Sequence, residues 1–180
     1  MFQDWYAIIS SRNWSTIYSS ITMTEGECNM GLLSTSELEQ HIRQIYSKVK
    51  AITEPDGIFM PLKTHFRKHR PQDSVGDFCF SDSQGYHFCE IERGIVQRYS
   101  LTQDLFEITF LTLEDQIFRM SVNYEAKNRI PDQDSRRLMF SKRLQIYSEI
   151  GPEYAARAML EIQKTLEKVP FQDDMFSRWF

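Results

Sequence analysis

The sequence predicts an α+β fold, a small antiparallel β-meander packed against a layer of about four helices. Three observations carry that expectation. Apolar residues recur at steps of three and four in four segments, starting near Ser34, Leu101, Gln133 and Pro152. Residues 77–101 instead alternate apolar and polar around two glycine-bearing turns. The order, one helix, then consecutive strands, then three helices, is that of an α+β domain rather than of βαβ units. At 180 residues, 41% hydrophobic and 26% charged, the chain is read as a single soluble domain over 1–180.

Residues 1–33 are an N-terminal extension of uncertain structure. Trp5, Tyr6, Ile8, Ile9, Trp14, Ile17, Tyr18 and Ile21 are too apolar for a solvated tail. A short helix from Trp5 to Tyr18 and a strand near Thr16–Met23 both fit. Asp4 and the lack of a basic n-region speak against a signal peptide. Ser34 and Ser36 are candidate caps for the first helix, and Ser36 has Glu39 at capping-box spacing. Its stripe is Leu38, Ile42, Ile45, Val49 and Ile52, and Pro55–Asp56–Gly57 ends it.

The following irregular stretch holds His65 and His69, four apart. No glutamate follows His65 in the HExxH manner, so loop histidines are expected rather than a metal site. In the meander, a three-residue loop Ser83–Gln84–Gly85 would set Cys79 opposite Cys89. With Cys28 the cysteines number three, and reduced thiols in a reducing cytoplasm are expected. Gly94 marks a bulge or tight turn, and Ile95–Leu101 a third strand.

The long segment after it places Phe106, Phe110, Leu113, Ile117, Met120 and Tyr124 on one helical face. A second set, Ile108, Leu111, Phe118 and Val122, falls on another side, so the helix should be buried between layers. Pro131 stops it by about Asn128, and Asp132 or Asp134 caps the next helix. That helix runs to Ile150 with Phe140, Leu144 and Tyr147 inward. Gly151–Pro152 then starts a last helix, with Ala155, Met159, Ile162, Leu166 and Val169 on one side and Pro170 as its stop. The apolar tail after Pro170 is expected to dock onto its own domain.

Charge is uneven. Residues 63–72 carry Lys63, Arg67, Lys68 and Arg70 and no acid, whereas residues 73–135 carry 5 basic and 12 acidic side chains. An acidic surface repels nucleic acid and attracts basic proteins. One short basic cluster in a chain of pI about 5.6 does not make a nucleic-acid module. No apolar run reaches membrane-spanning length. Paired carboxylates, Glu90 with Glu92 and Asp132 with Asp134, leave a small hydrolase or nuclease using Glu90, Glu92 or Asp134 as the alternative. Arg136 and Arg137 stand in a first helical turn, where the macrodipole opposes positive charge. A compensating acid is expected there, from Glu92, Asp132 or Asp134.

Glu92–Arg93–Gly94 at a strand end, then RIPDQDSRRLMF, then a Gly–Pro-started helix, resembles a family of bacterial immunity proteins. These belong to polymorphic-toxin and contact-dependent growth-inhibition systems. The residues that carry the resemblance are Glu92, Arg93, Gly94, Arg129, Ile130, Pro131, Gln133, Asp134, Arg136, Arg137 and Phe140. Asp132 stands where the pattern has glycine, and Ser135 where it has an aromatic. The resemblance covers residues 34–172. It implies a cytoplasmic, non-catalytic, antitoxin-like protein that binds one cognate toxin C-terminal domain, of the basic nuclease type. It implies no cofactor, metal, nucleic acid or membrane. The motif residues would fix the fold, and the toxin-binding positions are left open.

Overall fold

The computed structural model describes residues 31–173. The chain divides into two compact units, Met1–Gly31 and Leu32–Phe180, and the described helices and strands all belong to the second. The expectations for residues 1–30, Cys28 included, and for the chain beyond Asp173 lie outside the described residues.

Helix α1 spans Thr35–Thr53. Its capping box is formed by Ser34 and Glu37, not Ser36 and Glu39: the Glu37 carboxylate accepts from the Ser34 N–H at 2.8 Å. Glu39 accepts instead from Arg43, one turn on. Leu38, Ile42, Tyr46 and Val49 are buried. The Thr35 hydroxyl receives the Ser81 N–H at 3.0 Å, which ties the helix start to the meander.

Strands β1 (Val75–Asp82), β2 (Gly85–Glu92) and β3 (Ile95–Thr102) form an antiparallel sheet in that order. The first loop has two residues, because Asp82 pairs with Gly85. That one-residue difference from the expected loop reverses which side chains share a face. Cys79 lies opposite Phe88 and Cys89 opposite Phe78, so the two thiols point to opposite sides of the sheet and cannot pair. Cys79 joins the main core, where burial pushes its thiol up to about 11 and keeps it protonated. Cys89 packs with Phe78 and Ile91. Arg93 and Gly94, at φ +52° and +75°, make the second turn a tight left-handed one that suits the strand twist.

Helix α2 (Leu105–Lys127) lies against the sheet and against α1 and α3. Phe106, Phe110, Leu113, Ile117, Met120 and Tyr124 enter the core or pack on it, and Phe110 stacks on Tyr147 at 5.1 Å. The second expected face divides. Ile108 and Leu111 are buried, but Phe118 and Val122 remain exposed. Thr109, Thr112 and Ser121 are buried with their hydroxyls donating to carbonyls four residues back.

Helix α3 (Ser135–Ile150) buries Phe140, Ile146, Tyr147 and Ile150. It also buries Lys142 and Arg143, which no periodicity announced. Helix α4 (Pro152–Lys168) presents Tyr154, Ala158 and Ile162 to the interior. Its buried face is rotated from the expected stripe, and Val169 lies beyond the helix and is exposed.

Gly85 is fixed by space as well as by backbone. Its φ is +151°, and a Cβ would stand 2.6 Å from the carbonyl oxygen of Thr102 on the neighbouring strand. Gly94 has φ +75° but open space around it. Gly85→Ala should therefore cost about 1–3 kcal/mol and lower the melting temperature by several degrees. Gly94→Ala should cost about 1 kcal/mol. Equal losses in thermal unfolding would contradict the close approach of β2 and β3 at Gly85.

Candidate functional site

Two places on the described surface concentrate polar chemistry. The first is the break between α2 and α3. Asp134 caps α3 and accepts from the Arg136 N–H at 3.0 Å. The Arg136 guanidinium returns to the same carboxylate through Nε at 3.0 Å and Nη2 at 2.6 Å. Its remaining donors reach the carbonyls of Val169 and Pro170, both at 2.8 Å. Asp134 also accepts from the Gln172 N–H at 2.8 Å. Arg137 donates to Asp173 at 3.0 and 2.7 Å, and the Asp134 N–H donates to Asp173 at 3.0 Å. The Phe171 ring lies beneath both guanidiniums, 5.5 and 4.3 Å from their centres, and against Phe140. The first turn of α3 thus clasps residues 169–173. Asp134 solves the dipole problem posed by two arginines at a helix start.

Phe171, the first residue of the apolar tail, docks onto its own domain here. Asp173 is the member of the clasp that the sequence did not single out, and its only signal was a carboxylate just past the Pro170 stop. The other motif residues lie apart from the clasp. Glu92 and Arg93 are exposed at the β2–β3 turn and make no ion pair with the described residues. Arg129 is held by Glu125, one turn back on α2, at 2.8 and 3.0 Å. Gln133 is half-buried, and Pro131 is exposed. Asp132 has φ +59°, in the left-handed region. It is a position that glycine suits best, and aspartate is among the residues that tolerate it.

The second place is a cleft of about 230 Å³ between the inner face of the sheet and α2 and α3. Asp77, Glu90, Glu114 and Asp115 line it with Arg98, Arg143, Phe88, Leu111 and Phe118. Arg98 donates to Glu114 at 3.0 Å. Arg143 pairs with Glu161 at 2.8 Å and approaches Glu114 at 3.7 Å. Asp115 is held by Arg119 at 2.6 Å. Asp77 and Glu90 face each other across β1 and β2 with no ion pair to the described residues. Burial, with Asp115 and Glu90 nearby, raises the Asp77 carboxyl above its ordinary value.

The hydrolase reading, with Glu90, Glu92 or Asp134 as its carboxylates, asks for carboxylates and histidines to converge in one pocket. Glu90 lines the cleft, Glu92 lies at an exposed turn, and Asp134 is bound up by Arg136. No group of metal-ligating side chains occurs among the described residues. His65 instead forms a β-bridge to Phe78 and stacks on its ring at 5.1 Å. Of the basic cluster, Arg67 is committed to Asp73 through two bonds of 2.8 and 2.9 Å. No helix among the described residues is long and apolar enough to cross a membrane.

Residues 82–164, somewhat under half of the chain, match a family model described as Immunity protein 63. The match supports an immunity-protein family, and with it an immunity function and a toxin partner. No curated protein and no solved structure matches.

The Arg136–Asp134 bond has a pH signature. Asp134 is only 7% exposed at its side chain, and Arg136 holds its carboxyl well below the usual carboxylate range. A carboxylate with a depressed folded value adds stability that is whole above its unfolded value, about 4. That stability is lost as pH falls from there toward the folded value. Arg136→Ala should cost about 1–3 kcal/mol at pH 7, because Asp134 is left without its fork. Arg136→Lys should not restore it, since an ammonium cannot make both bonds. Urea unfolding between pH 7 and 2 checks this: wild type should lose the extra stability below about pH 4, and the variants should start without it.

Asp132→Gly should stabilise by up to about 1 kcal/mol, through relief of the left-handed backbone. A lower melting temperature for that variant would mean that the Asp132 carboxylate contributes something its backbone does not show.

Proposed function

We propose that this chain is an immunity protein that binds and neutralises a cognate toxin domain in the cytoplasm, without catalysis. The observation that carries the reading is the family match over residues 82–164, which contains both Glu92–Arg93–Gly94 and the RIPDQDSRRLMF segment. The finer proposal is that the toxin is a basic nuclease. Support for it is the acidic middle of the chain, 12 acids against 5 basic side chains over residues 73–135. A nuclease site built for phosphate carries the opposite charge, which favours fast and selective association.

The motif residues serve the fold in this reading. Arg136, Asp134 and Phe140 hold the helix junction and the segment after α4, and Arg93–Gly94 form a turn. Toxin contacts then come from exposed positions outside the clasp.

The test is co-expression with the toxin domain encoded next to this chain, followed by co-purification. Protection of the cells and a stable complex of the two proteins are expected. Protection without any complex would overturn direct inhibition. Toxicity that persists at full expression of a folded protein would overturn the immunity reading itself.

A further inference from the structure

Among the described residues, strand β3 is a free edge. The opposite edge, on β1, is occupied: the His65 N–H donates to Asp77, and the Cys79 N–H donates to His65. β3 pairs only with β2, and its residues have no other backbone partner among those described. In an antiparallel pair, alternate residues of an edge strand turn their N–H and C=O away from the neighbour. Proteins normally blunt such an edge with lysines, prolines or a covering segment. Within the described residues β3 has none of these. Its only charged side chain, Arg98, folds inward onto Glu114. Ile95 is 64% exposed and Tyr99 54%, with Val96 and Leu101 also open. One protective device is present, a bulge at Gln97, where the partner of β2 steps from Arg98 to Val96. It leaves Arg98–Thr102 regular.

The acidic cleft adjoins this edge through Arg98 and Glu90. Glu90 and Asp77 are like charges directly opposite each other, an arrangement that destabilises a sheet. Neither makes an ion pair among the described residues; Arg119, committed to Asp115, acts on both only at longer range. On the same cleft wall, Arg143 is nine-tenths buried and held by Glu161. Phe118, 41% exposed, forms an apolar lip.

We infer that the β3 edge and this cleft together are the toxin-docking surface. The partner adds an extended segment along Arg98–Thr102 and, from a neighbouring part of its surface over the cleft, sets a lysine or arginine against Glu90 and Asp77. The inference rests on the immunity reading and says where and how that partner binds. The unpaired edge supplies main-chain hydrogen bonds, and the cleft supplies selectivity for a basic residue. Charge decides between a basic partner and a second copy of this chain. A second copy would bring an equally acidic cleft to the seam, whereas a basic segment relieves the Asp77–Glu90 repulsion.

The experiment is amide hydrogen exchange on the full chain, free and with a catalytically inactivated form of the neighbouring toxin domain. Alternate amides of residues 98–102 should exchange quickly in the free, monomeric protein and slow at least tenfold in the complex. Glu90→Gln should leave the melting temperature close to wild type, since it removes the Asp77 repulsion together with the attraction to Arg98 and Arg119, yet weaken the complex by about tenfold or more. Leu101→Lys should weaken it too while leaving the fold intact. A complex that protects another surface, or that tolerates Glu90→Gln unchanged, overturns the docking site and leaves the immunity reading standing. A free protein that is already a dimer protected along β3 assigns the edge to a second copy and also overturns it. No complex at all removes direct inhibition, and this inference with it.

Discussion

Helix α2 has to be dry on more than one side, and the rest of the molecule is arranged to make it so. Its buried residues include Ile108, Phe110, Leu111, Leu113, Ile117 and Met120, which occupy more of the circumference than one stripe. A helix of that kind needs a layer on each side. The meander supplies one, through Cys79, Tyr86 and Phe88, and α1 and α3 supply the other. Burying one such side chain is worth about 1.5–3 kcal/mol, so the two layers together outweigh any single polar contact in the fold. Phe118 and Val122 stay exposed, and Phe118 lines the acidic cleft.

Packing the layers this closely traps charge between them. Arg98, Glu114, Arg143, Glu161, Arg157 and Glu107 form an alternating chain that passes from β3 through α2 and α3 to α4. Each buried guanidinium has a carboxylate, as it must, because an unpaired buried charge costs several kcal/mol. Lys142 shows the same requirement on the other side of α3. It bonds Asp56 in the turn after α1 and Gln145 at 3.0 Å, and lies 4.8 Å from the Tyr124 ring centre. These pairs fix how the helices stand relative to one another. Asp77 and Glu90 are compensated less directly: neither makes an ion pair among the described residues, and Arg119, itself held by Asp115, acts on both at longer range.

The clasp at the α2–α3 break and the docking surface answer different physical needs. The clasp is inward-looking: Asp134, Arg136, Arg137 and Asp173 satisfy one another and the backbone of residues 169–172. Among the described residues the β3 edge has unmet hydrogen-bonding capacity and open apolar side chains. On the proposed reading, that division separates the helix junction from the surface that meets the partner.

Periodicity in the sequence determined the four helices, the meander and their order, because a buried face leaves its period of 3.6 or 2 in the residues themselves. Pro131 and Gly151–Pro152 marked the breaks for the same local reason, and Asp134 was legible as a cap. The Ser34–Glu37 box, the two-residue loop and the rotated face of α4 were misplaced by one or two residues, and each depends on small free-energy differences between neighbouring registers. In the hairpin that single step decided which face each cysteine takes. Burial of Lys142 and Arg143 was invisible, since a charge is stabilised by partners distant in sequence, Asp56 and Glu161. The same holds for Asp173 in the clasp, and for Asp77 and Glu90, which meet only when β1 pairs with β2. Local chemistry sets which elements form, and tertiary pairing alone decides which charges are neutralised and which are left to meet a partner.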